Sequence, residues 1–302
     1  MSASRVLALA VLALMFWLLY GVQGNSQETA IHGHSAVRWM VKRWSGSGGD
    51  LSHGWVIPLV SLYLLWRRRR DLVSAEKQPA AAGLAVVVLA LFLHWAGVRA
   101  QLTRLSLLSL IGLLWGIPLY FYGWKVAGLI LFPCVYLFFC IPLSFLNSIT
   151  VPLRLFAGGM ATFLLNGLGI ATVRQGTAIY SSAAGGFNLD VADACSGLRS
   201  MLAMTALTAA YAYLTQDSLV KKWLLFAGAV PLAIAGNVAR VVTIAVVAGQ
   251  FGEEAALRIY HDYSGYIVFA VAVLLMMGLG RVLKTDYREK LRGWSPHRSA
   301  DS

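Results

Sequence analysis

The chain has 302 residues, 58% of them hydrophobic and 13% charged, and its mean hydropathy is +0.68. A soluble domain carries about 25% charged residues, so a soluble globular enzyme is excluded, and the gathering of apolar residues into long blocks excludes a disordered or fibrous chain. Twenty-five Lys and Arg stand against 13 Asp and Glu, a net charge of +12, which in a polytopic membrane protein reflects the basic cytoplasmic loops before it suggests a nucleic-acid partner.

A membrane-spanning helix needs about 20 predominantly apolar residues. The first candidate is Val6–Val22, preceded by Arg5. It is long for a signal-peptide h-region and is read as a span. Gly54–Trp66 follows, bracketed by Trp55 and Trp66 and stopped by four arginines, Arg67 to Arg70. Interfacial tryptophans and snorkelling arginines are the expected flanks of such a segment. Ala80–Val98, Leu105–Tyr122 and Val126–Leu146 are the next spans, then Ser200–Leu214, Trp223–Ala248 (interrupted by Pro231) and Gly265–Leu283. The tail 284–302 is polar and is expected to be cytoplasmic.

Ile149–Ala171 is apolar enough to cross but carries Pro152, Arg154, Asn166 and several glycines. Arg154, Gly158, Thr162 and Asn166 recur every four residues and share one helical face, as in an amphipathic helix lying in the membrane interface. Charge supports this choice. With eight spans and one interfacial helix, fifteen of the 25 Lys and Arg fall on the side of Arg5, the Arg67–Lys77 loop, Lys125, Lys221, Lys222 and the tail, and eight on the other. Counting Ile149–Ala171 as a ninth crossing would place either the four-arginine loop or the basic tail on the wrong side. The expected fold is therefore an all-α polytopic membrane protein with eight spans, both termini cytoplasmic, forming one integral-membrane domain over residues 1–283. Thr177–Ser181 and Phe187–Val191, separated by Ala183-Ala184-Gly185-Gly186, predict a small extracytoplasmic β-hairpin.

Three cysteines, Cys134, Cys140 and Cys195, make neither an even disulfide framework nor a CxxC motif. Cys134 and Cys140 lie in an apolar block. Cys195 is different: it follows the hairpin at the outer start of the sixth span, where a helix N-terminus favours a thiolate. Arg199 is one turn further along the same helix face. Cys195 reads either as a small residue at a turn or as a nucleophile.

Arg240 sits inside the outer half of the seventh span, with Asn237 three residues before it. An intramembrane arginine marks a functional site by default, and snorkelling to headgroups is the bland alternative. His261 begins the eighth span beside Tyr260, Asp262 and Tyr263, either as a headgroup contact or as an acid–base group. His94 in the third span reads as a packing residue, and His32, His34 and His53 lack metal spacing. Topology puts Cys195, Arg240 and His261 on the same outer side. A thiol nucleophile needs a base and acyl transfer needs an oxyanion donor, so the three together suggest a membrane cysteine acyl-transfer enzyme. A transporter of an anionic solute, using Arg240 and Asn237 beside the Pro-broken helix, and a non-enzymatic exopolysaccharide export or assembly partner are the alternatives. No Gly-rich phosphate loop or metal-ligand cluster occurs, so no cofactor or metal is expected, and no nucleic acid.

These residues carry a specific resemblance. Ala194-Cys195-Ser196-Gly197-Leu198-Arg199-Ser200, Asn237-Val238-Ala239-Arg240 and His261, together with Ser52-His53-Gly54-Trp55 and Leu62-Tyr63-Leu64-Leu65-Trp66-Arg67-Arg68-Arg69, resemble the exosortase/archaeosortase family of multispanning transpeptidases over roughly residues 52–280. His at the third position fits bacterial exosortases better than archaeosortases. The resemblance implies an inner-membrane enzyme with a periplasmic active site. Its substrates would be secreted proteins bearing a C-terminal signal made of a short PEP-CTERM-like motif, a hydrophobic helix and a basic end. It also implies transfer to an acceptor, a polysaccharide or lipid, through a thioester on Cys195, with Arg240 at the oxyanion and His261 as acid and base. Arg199, Asn237, Ser196 and Asp193 are expected to support catalysis or substrate binding.

Overall fold

The computed structural model describes residues 3–24, 33–45, 52–142, 145–181, 186–190, 197–252, 254, 256 and 261–284. The chain divides into two compact units, Met1–Leu146 and Asn147–Ser302.

In the first unit, α1 (Ala3–Phe16) runs on into a π-helical stretch, Trp17–Val22. α2 (Ala36–Ser45) was not foreseen in the sequence. Ser35 caps it by accepting the Arg38 amide at 3.2 Å, and its Trp39 and Trp44 are buried. α3 (Val56–Arg67) and the short α4 (Arg69–Ser74) follow, then α5 (Ala82–Arg99) and α6 (Thr103–Tyr136). Large apolar side chains such as Leu59, Leu62, Leu89 and Phe92 face outward, the arrangement a lipid solvent favours and water does not.

The apolar helical segment Thr103–Cys140 holds 38 residues. Straight, it would measure about 57 Å against a hydrocarbon core of ~30 Å. It is not straight. Gly123 has φ 82° and ψ −173°, and the Trp115 indole N–H donates to the Ala127 carbonyl at 2.9 Å, although positions twelve apart in a continuous helix lie about 18 Å from each other. The segment therefore folds back at Gly123, and its halves correspond to the expected spans Leu105–Tyr122 and Val126–Leu146.

The first half of α6 packs antiparallel on α5 through small residues. Gly83 lies on the Tyr120 backbone, Gly116 on Val86, Gly112 on Ala90 and Gly97 on Ser106. Close helix approach through such residues is the usual basis of association in lipid. At one end of this pair, Lys125 bonds Glu76 and Lys77 stands 5.8 Å from the Tyr122 ring centre. The Arg67–Lys77 loop and the Gly123–Lys125 turn thus share an end, as the charge partition requires. Lys125 also holds the Glu76 carboxyl below its ordinary range, mainly through their hydrogen bond. At the opposite end Arg104 donates to the Pro142 carbonyl at 2.7 Å and Trp44 to that of Cys140 at 2.8 Å. His94 is buried edge-on to Tyr20, in keeping with a packing role.

Gly123→Ala tests the fold-back. A Cβ there meets the Gln78 backbone, and the backbone region is one that only glycine adopts cheaply, at about 1–3 kcal/mol for other residues. The variant is expected to lower the thermal unfolding midpoint in detergent by several degrees, and an unchanged midpoint would refute the hairpin.

In the second unit, α7 (Phe145–Gly167) leads into strands β1 (Thr172–Gln175), β2 (Ala178–Ser181) and β3 (Asn188–Asp190). These form an antiparallel sheet in sequence order, with Ile179 opposite Leu189 and Arg174 opposite Ile179. The expected hairpin corresponds to β2 and β3. β1 is an addition, joined to β2 by a tight turn with Gly176 at φ 63°.

Asn166 ties helix to sheet, accepting the Thr172 amide at 2.8 Å and donating to its carbonyl at 3.1 Å. α7 buries Ala157, Ala161 and Leu165, spaced by four, and exposes Phe156, Met160, Phe163 and Leu164. Its buried stripe meets Ile179, Phe187 and Leu189 of the sheet region and Val241, Ile244, Ala245 and Ala248 of the next long helix but one.

Three helices complete this unit: α8 (Gly197–Thr215), α9 (Leu219–Phe251) and α10 (His261–Lys284). Among the described residues, four helical segments are long and apolar enough to cross a membrane: Ala82–Arg99, Thr103–Cys140, Leu219–Phe251 and Tyr266–Lys284. Ala10–Val22 and Met201–Thr215 are shorter apolar helices. The chain is thus mostly helical with a small sheet, as expected in class.

Candidate active site

α8, α9 and α10 pack on one another, and their contacts fix the axial register. Gly236 of α9 faces Val268 of α10, and Gly228 faces Leu279, so these helices are antiparallel. Arg240, four residues past Gly236, is therefore level with the first turn of α10, which begins at His261. α8 and α10 run parallel. Thr208 bonds the Met276 sulfur at 2.9 Å, the Tyr211 ring lies against Gly280, and Gln216 donates to the Gly280 carbonyl at 2.9 Å. Counting back along α8, Gly197, its first residue, comes level with Gly265. Gly197 of α8, His261 of α10 and Arg240 of α9 thus lie within about one helical turn of each other along the bundle axis. Lys221, Lys222, Arg281 and Lys284 lie at the opposite end, again as the charge partition requires.

Arg240 and Asn237 are both half-buried and line one cleft. Ala233 and Gly236 continue its wall down α9, Val268, Phe269 and Ala272 supply the α10 wall, and Met204 comes from α8; the interior volume is ≈ 30 Å³. Asn237 and Arg240 thus line the same cleft. Arg199 and His261 are placed on α8 and α10 by their backbones, while Asp193, Cys195 and Ser196 lie outside the described residues. Cys195 precedes the first residue of α8 by two positions. Cys134 and Cys140 are buried in the first unit, and Cys140 donates to the Leu137 carbonyl. Among the described residues no cluster of three or more His, Cys, Asp or Glu could hold a metal. Met204, Val268, Phe269 and Ala272 had no signal in the sequence, because inside a span they read as ordinary apolar residues.

Apolar helices of this kind, four of the described segments being long enough to cross a membrane, define a multi-pass membrane protein. The family described as transmembrane exosortase matches residues 44–278, and the chain belongs to it. That family acts as membrane cysteine transpeptidases on secreted proteins with C-terminal sorting signals. No curated protein and no solved structure matches the chain.

Proposed function

We propose that this chain is the cysteine transpeptidase of a bacterial inner membrane, crossing it eight times with α7 in the outer interface and its site on the periplasmic side. The Cys195 thiolate attacks the scissile carbonyl of a sorting signal, forming a C–S bond. The C–N bond breaks as His261 protonates the leaving amine. The resulting thioester is attacked by an acceptor, polysaccharide or lipid, whose proton passes to His261 as the C–S bond breaks and Cys195 leaves as a thiolate. Arg240 donates to the oxyanion in both tetrahedral intermediates. Asn237 holds the substrate backbone beside it. Arg199 lowers the thiol pKa from one turn along α8, and Ser196 and Asp193 frame the nucleophile.

What supports this reading is the family match over residues 44–278, together with the cleft in which Arg240 and Asn237 of α9 stand among apolar residues of α8 and α10. The experiment is co-expression with a secreted protein carrying the motif, hydrophobic helix and basic end, followed by mass measurement of its C-terminus. The expected product ends within or beside the motif and carries an added acceptor mass. A product bearing an intact tail refutes the reading.

A further inference from the structure

The cleft below Arg240 has a shape that the chemistry of bond cleavage does not require. Ala233, Gly236, Asn237 and Arg240 stand at positions i, i+3, i+4 and i+7, so they line one face of α9. The polar pair stands at one end of it. From Arg240 to Ala233 the face descends about 10 Å, toward the basic end of the bundle and so into the hydrocarbon. Facing it are Phe269 and Ala272 of α10, with Met204 of α8 closing the side.

Three of the residues that line it, Ala233, Gly236 and Ala272, are small. Gly236 already sits so close to Val268 that an added Cβ would come within 3.1 Å of it, and Ala272 and Met204 are buried. The interior volume of ≈ 30 Å³ exceeds the ~10–15 Å³ that one water needs, yet an apolar floor does not hold water well. It suits a small aliphatic group.

Building on the transpeptidase reading, we propose that this cleft is a specificity subsite for the substrate's leaving segment. It takes the first apolar side chain of the hydrophobic helix that follows the scissile bond, and it admits alanine- to valine-sized groups while rejecting aromatic ones. The direction follows from the geometry. A substrate whose scissile carbonyl lies at the level of Arg240 sends its membrane-embedded portion down the bundle, past Asn237 and onto the Ala233–Ala272 floor. Phe269 and Ala272 are the size-determining residues, one limiting the width and the other the depth.

The test uses the full chain in membranes with a secreted reporter whose sorting signal carries Ala, Val, Leu or Trp as the first residue of its hydrophobic segment. The wild-type chain is expected to process the Ala and Val reporters at least about ten-fold faster than the Trp reporter, the scale at which pockets discriminate size. Phe269→Ala is expected to raise processing of the Leu and Trp reporters, a gain that misfolding cannot produce. Ala272→Leu is expected to slow the Val reporter more than the Ala reporter. If all four reporters are processed alike by the wild-type chain, or if Ala272→Leu slows all four equally, the cleft is packing space or a lipid acyl site and the proposal falls alone. If the wild-type chain processes none of them, the transpeptidase reading falls and the subsite with it.

Discussion

Cys195→Ala leaves the full-length substrate in the membrane, with processing reduced by roughly three orders of magnitude or more, the scale seen when a covalent nucleophile is removed. The reason is that this thiol stands in the stretch Ala194–Ser200 that resembles the family's nucleophile motif, with one residue, Ser196, between it and Gly197, the first residue of α8. The other two cysteines, Cys134 and Cys140, are buried and not available as replacement nucleophiles. The measurement is immunoblotting of the substrate in membranes, alongside a check that the variant chain is present at wild-type level. Normal processing by Cys195→Ala would end the nucleophile assignment.

Arg240→Lys is the second large effect. It keeps the positive charge but replaces a planar fork of five donors with a mobile point charge. If Arg240 only snorkelled to headgroups, lysine would serve as well, since its ammonium reaches the same interface. If Arg240 donates to a developing oxyanion, the loss is expected at about 10²–10³-fold in turnover, the cost of losing one aligned donor. The thermal midpoint of the protein should stay near that of the wild type. Turnover within two-fold of wild type would assign the residue to the interface instead of the reaction.

The fold was legible where lipid imposes strong rules, and less so where local geometry decides. The break inside Thr103–Cys140 could be read because Gly123, Trp124 and Lys125 interrupt an apolar run twice the length of a membrane. The status of α7 rested on Pro152, Arg154 and Asn166, and its one-sided burial through Ala157, Ala161 and Leu165 fits an amphipathic helix. β1 escaped notice because Thr172-Val173-Arg174-Gln175 is short and mixed, and its pairing depends on a turn at Gly176. α2 escaped because the first loop reads as polar, although Ser35 as a cap and the spacing of Trp39 and Arg43 were present. In the site, Arg240 and Asn237 stood out as polar groups where lipid penalises them. Val268, Phe269 and Ala272 did not, since their role comes from the facing helix and not from their own chemistry.

The sheet described above also joins elements far apart in the sequence. Ile179 and Leu189, opposite one another on β2 and β3, are buried with Ala161 and Leu165 of α7 and with Val241, Ile244, Ala245 and Ala248 of α9. Those α9 residues follow Arg240 on the same helix, so the packing that seats the sheet also steadies the helix that carries Arg240 and Asn237. A cavity cut into that core, as by Ile179→Ala, therefore reaches the cleft through α9.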